Sequence, residues 1–118
     1  MKIQKNEKGN IAVFALGAEI RDMWQMMDRM AEAYYQGCFG LVVHKEDLPD
    51  GFFNLKNGVA GEILQKFSNY QMKIGIAGDF SAISSHALSC FISESNRGHS
   101  VFFLDSVDAC VQKMIKAK

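Results

Sequence analysis

Three observations predict an α/β protein with a five-stranded, mostly parallel sheet and about four helices. Short apolar runs alternate with longer segments of helical period. Most of those runs lack polar alternation, the mark of strands buried on both faces. The first two runs are joined by a glycine-bearing turn, so they form an antiparallel hairpin ahead of the parallel part. At 118 residues, with one proline and no Ser/Gly/Pro-rich linker or repeat, residues 1–118 read as a single domain.

The first strand lies around Ile3. The stretch 6–10 (NEKGN) supplies turn residues, with Gly9 able to take positive φ. Residues 11–16 (IAVFAL) form the second strand. Residues 20–35 read as helix, because Ile20, Met23, Trp24, Met27, Met30, Ala31 and Tyr34 recur at three- and four-residue spacing. That phase leaves Met26 outside the stripe. Exposure of Met26, Trp24 and Tyr35 together would mark a partner-binding patch. Gly37 suits a C-terminal cap.

Residues 39–43 are the next strand, and Pro49-Asp50-Gly51 is turn chemistry in the loop that follows. Residues 58–70 are helical, with Val59, Ala60, Ile63, Leu64 and Phe67 on one face. Leu55 extends that stripe backward, so a start near Asn54 is an alternative. Residues 73–78 form a strand. A helix over 84–97 has Leu88, Phe91 and Ile92 inward and Ser81 or Ser84 as N-cap. Asn96 or Gly98 suits its left-handed cap. The strand 101–104 is followed by a helix capped by Asp105, with Val107, Cys110, Val111 and Met114 inward.

Charge excludes some functions. Thirteen Lys and Arg against thirteen Asp and Glu leave no basic excess to drive counterion release, so nucleic acid is not an expected partner. No apolar run reaches membrane-spanning length, and the polar start MKIQKNEKGN is no signal peptide. The expected location is therefore the cytoplasm, with no membrane partner. Cys38, Cys90 and Cys110 show no CxxC spacing, and His44, His86 and His99 show no HxxxH spacing, so neither metal nor cofactor is expected. The cysteines read as small buried hydrophobes. Cys90 shares a helix face with His86, which permits a Cys/His pair, but its neighbours Leu88, Phe91 and Ile92 place it near the core.

In a parallel sheet, ligands meet the carboxyl ends of the strands. Lys45, Asp79 and the start of the second helix at Asn57-Gly58 converge there, with Glu62 one turn on. These five are the candidate partner- or ligand-binding residues. Each also has a structural reading: Asp79 as a cap, Asn57-Gly58 as a helix start, Glu62 as a solvated charge. Gly61, inside a helix, suggests close packing against the sheet.

Four segments carry a resemblance: residues 53–67 (FNLKNGVAGEILQKF), 76–81 (IAGDFS), 91–98 (FISESNRG) and 102–106 (FFLDS). They look like a bacterial family known as domain of unknown function 4180, over nearly the whole chain. More distantly, the element order resembles the STAS domain of anti-sigma-factor antagonists and sulfate-transporter tails. That STAS-like resemblance implies a regulatory, partner-binding surface. The family's phosphorylated Ser or Thr has no counterpart in residues 54–61, so the phosphoswitch does not carry over. The expected function is a non-catalytic regulatory or protein-interaction module. The alternative is a small-molecule binder or enzyme using Glu62 or Asp79 as acid/base. A second copy of the chain is a further candidate partner, through the Met-rich first helix.

Overall fold

The computed structural model describes residues 1–18, 20–49 and 51–117. Its elements are β1 (Lys2–Asn6), β2 (Gly9–Val13), α1 (Met23–Tyr35), β3 (Cys38–His44), α2 (Val59–Asn69), β4 (Lys73–Ala77), α3 (His86–Arg97), β5 (Val101–Leu104) and α4 (Val107–Ala117). Short 3₁₀ turns, Lys45–Asp47 and Leu55–Asn57, fill the link between β3 and α2. The helix α2 therefore starts at Val59, and Leu55 belongs to the turn before it. Asp50 of the expected turn lies outside the described residues.

The five strands lie side by side in chain order, β1-β2-β3-β4-β5. β1 and β2 are antiparallel, and every later pairing is parallel. Gly9, at φ 136°, opens β2 out of a two-residue turn whose second amide is held by Asn6 (Lys8 N donates to Asn6 Oδ1, 2.9 Å). Between Asn10 and Ile11 the register against β3 slips, so Phe39 is the extra residue. The bulge interrupts the alternation: Phe39 packs on the α4 side, and the next residue, Gly40, faces that same side, where a Cβ would meet Met114.

Each β-α-β crossover steps the same way across the sheet, and right-handed crossovers then place their helices on one face. Accordingly α1, α2 and α3 share the larger core, around Leu41, Val43, Ile74, Ile76 and Phe103. The opposite face carries α4, whose Cys110, Val111 and Met114 cover Val42, Ala77 and Phe102. Two glycines set how near α4 lies. A Cβ on Gly75 would fall 2.8 Å from Cys110 Cβ, and one on Gly40 would fall 3.0 Å from Met114 Sδ.

Several local readings change. In α1 the buried residues are Met26, Met30 and Ala33, while Trp24 and Tyr34 are exposed. The buried stripe is rotated by about 100°, the angle of one residue, from the expected one and shares Met30 with it, because Met pairs fit either phase and the large aromatics read as core. Ile20 is buried just outside the helix, and Asp22 is the N-cap, accepting from Gln25 N at 2.8 Å. Gly37 has φ +78° and does end α1. Ser85, rather than Ser81 or Ser84, caps α3, its Oγ accepting from Leu88 N at 3.2 Å. For α4 the cap is Ser106 Oγ, accepting from Ala109 N at 3.1 Å, rather than Asp105. Gly61 does not pack on the sheet: a Cβ there would meet nothing within 4 Å.

The end of α3 corrects another reading. Gly98 is extended, at φ −83°, and Asn96 lies within the helix. The Asn96 amide instead reaches β5. Its Nδ2 donates to Phe103 O at 3.1 Å and its Oδ1 accepts from Phe103 N at 2.7 Å. One side chain thus satisfies both polar groups of a residue on the outermost strand.

Candidate functional site

The strand ends hold Lys45 and Asp79 together. Lys45 follows β3 and Asp79 follows β4, one residue beyond Gly78. Lys45 Nζ donates to the Asp79 carbonyl at 2.6 Å and lies 5.3 Å from the centroid of the Phe80 ring. A Cβ on Gly78 would lie 2.5 Å from Lys45 Cβ, so glycine is what allows the lysine stem to cross here. The Asp79 carboxylate accepts from Ser81 Oγ at 2.6 Å and Ser81 N at 2.9 Å. Those hydrogen bonds, with a smaller contribution from Lys45, hold its carboxyl below the ordinary carboxylate range. An acid/base residue at neutral pH needs the opposite shift. Lys45 and Asp79 thus serve to tie the β3 and β4 loops together.

Asn57 and Gly58 build the start of α2. Asn57 Nδ2 donates to Gly51 O at 3.0 Å, and its Oδ1 accepts from Val59 N at 2.9 Å. Gly58 has φ +75°, a left-handed conformation that avoids a Cβ penalty only as glycine. Near these residues a hollow of about 390 Å³ is lined by Lys45, Glu46, Phe52 and Asn54. Asp47 adds a clasp with no sequence signal, accepting from Gly17 N at 3.0 Å and Ala18 N at 3.3 Å.

Glu62 faces a different place. With Trp24, Met27, Asp28, Lys66 and Tyr70 it lines a groove of about 630 Å³ between α1 and α2. The groove rim is aromatic. Trp24 is 73% exposed, Tyr35 85%, Tyr34 51% and Tyr70 55%. Tyr34 stacks edge-on against both Tyr35 (5.9 Å) and Tyr70 (6.0 Å). The cause is local. Burying Met26, Met30 and Ala33 turns the flank of Met23, Met27 and Tyr34 toward α2 and leaves Trp24, Asp28 and Tyr35 on the outer rim of the groove. Trp24 and Tyr35 are exposed together, as the patch expectation required, but Met26 is fully buried.

The five sequence candidates therefore occupy three places: Lys45 with Asp79, Asn57 with Gly58, and Glu62 in the groove. The aromatic residues Tyr34 and Tyr70 were missed because their relation depends on α1 and α2 lying side by side.

Cys90 is exposed rather than near the core, with Sγ 3.5 Å from His86 Nε2. Among the described residues no group holds the other imidazole nitrogen, so the pair lacks the orienting third member of a nucleophilic dyad. Cys38 and Cys110 are buried, and burial raises both thiols, Cys110 to about 11. Among the described residues no group of three or more His, Cys, Asp or Glu side chains is placed to hold a metal ion, and no helix is long and apolar enough to cross a membrane.

The family model described as domain of unknown function (DUF4180) matches residues 5–114. The chain belongs to this family. The match spans the chain from the end of β1 through most of α4. No curated protein and no solved structure matches the chain.

Proposed function

We propose that this α/β unit is a non-catalytic regulatory module of the cytoplasm, and that a partner protein docks in the groove between α1 and α2. The observation that carries this reading is the exposure of four large aromatic side chains along one groove. Exposed aromatics clustered on a concave face are the usual anchors of a protein interface. Glu62 belongs to this docking surface. Asn57 and Gly58 support it by launching α2, while Lys45 and Asp79 join the loops after β3 and β4 outside the groove. The resemblance of the element order to STAS domains, noted in the sequence, supports such a role by fold analogy alone.

The test is a pull-down from a lysate of the cell that makes the protein. It compares the intact chain, a Trp24→Ala/Tyr35→Ala variant and a Lys45→Ala/Asp79→Ala variant, each first checked for native circular dichroism. A protein held by the intact chain and the strand-end variant, and lost by the groove variant, supports the reading. Retention that ignores the groove residues, or follows Lys45 and Asp79 instead, overturns it.

A further inference from the structure

The groove has a charge pattern along its length. Asp28 enters from α1, one turn after Trp24, and Glu62 enters from the first turn of α2. Both carboxylates are exposed, and neither makes an ion pair among the described residues. Lys66 is one turn beyond Glu62 on the same helix, yet the two do not pair; the Arg29–Glu32 ion pair of α1, at 2.8 Å, lies on its other flank, beside Phe14 and Leu16. The chain as a whole is neutral, so the two free carboxylates are a local feature rather than a consequence of acidic composition. Because α1 and α2 are both crossover helices running the same way, their first turns meet at one end of the groove. Trp24, Asp28 and Glu62 mark that end, and Lys66, Tyr70 and Tyr35 mark the other.

Resting on the reading that this groove is a docking site, we infer that its occupant is a cationic segment of a partner protein. An Arg or Lys side chain of that segment lies on the Trp24 indole between Asp28 and Glu62. An exposed indole face attracts a cation, and a guanidinium can stack on the ring while donating to both carboxylates. The partner's apolar side chains then reach Met27 and the tyrosine end. From Trp24 to Tyr35 is eleven helical rises, about 16 Å, the length of roughly three helical turns. The backbones of α1 and α2 are spent within their own helices and offer no ladder to an incoming strand. A segment that satisfies its own backbone, an amphipathic helix with a basic residue toward the Trp24 end, fits this surface best.

A random dodecapeptide library displayed on phage supplies the probe. Trp24 is the chain's sole tryptophan, so its fluorescence reports occupancy of the groove directly. Panning is expected to enrich peptides with Arg or Lys spaced three or four residues from an apolar side chain. Their synthetic forms shift Trp24 emission. They lose at least tenfold in affinity when the basic residue is replaced by citrulline or acetyl-lysine, and when the protein carries Asp28→Asn/Glu62→Gln. Affinity also falls as salt rises. Groove-dependent peptides that lack a cation, or that bind the Asn/Gln variant equally well, overturn the cationic inference and leave the docking reading standing. Peptides indifferent to Trp24→Ala and Tyr35→Ala, or no enrichment at all, overturn both.

Discussion

Gly58 and Gly61 sit three residues apart and carry opposite demands. Gly58 holds φ +75° at the entry to α2, whereas Gly61 is an ordinary helical residue with open space where a Cβ would go. Gly58→Ala is expected to cost about 1 kcal/mol and Gly61→Ala to stabilise by about 0.5–1 kcal/mol, measured by urea unfolding. Both glycines were visible in the sequence, but only the backbone angle tells which is needed. Cys110 makes a residue-scale prediction about pH. Burial holds its thiol at about 11 in the folded chain, against 9.0 for a free thiol. Between those values the unfolded chain loses a proton that the folded chain keeps, so stability falls as pH rises. From pH 8 to pH 10 the loss attributable to this thiol is about 1 kcal/mol. The decline in urea midpoint over that range is expected to be smaller in Cys110→Ala; equal declines would remove Cys110 as its source.

Helix α1 shows how an element can be right in kind and wrong in rotation. Its end and its glycine stop were legible in the sequence, and so was its amphipathic character, but it starts at Met23 rather than near Ile20. Its phase was not, because Met23, Met26, Met27 and Met30 are interchangeable to a pattern that counts apolar residues. The structure makes Met26 fully buried and Trp24 73% exposed. Met26→Ala is expected to cost about 2–5 kcal/mol and Trp24→Ala less than about 0.5 kcal/mol in thermal or urea unfolding. The reverse ranking would restore the phase that the apolar count suggested. At α3 the link to β5 rests on one amide. Asn96→Ala removes two hydrogen bonds from the part-buried Phe103 backbone and is expected to cost about 2–3 kcal/mol. Asn96→Asp keeps the acceptor but loses the donor to Phe103 O, so its cost should be comparable. Hydrogen exchange at Phe103 N reports the loss directly.

Across the whole molecule, the alternation of strands and helices was legible from apolar runs and turn residues, as was the antiparallel hairpin. Strand order was not, because nothing in an apolar strand such as residues 73–77 names its neighbours. Without that order the α1–α2 groove stays hidden, and the site reading centred on the strand ends, where Lys45 reaches the Asp79 carbonyl across two loops. The unequal division of helices between the two faces also follows from strand order. It leaves α4 alone over Gly40 and Gly75, so the seating of that helix tolerates little. Gly75→Ala is expected to cost about 1–3 kcal/mol, because Cys110 Cβ on the helix must withdraw. A calorimetric scan that finds it neutral would mean α4 sits farther from the sheet.

The sequential order of strands also has a temporal side. During synthesis each new strand emerges when its sheet neighbour already exists, so the sheet can extend one strand at a time without waiting for a distant partner. The face beneath α4 is the exception. Ile11, Val42 and Phe102 are laid down with β2, β3 and β5, and their cover arrives only after the last of these strands. A chain halted between β5 and α4 would thus present all five strands of the sheet with one apolar side bare, the interval in which it exposes that surface to aggregation.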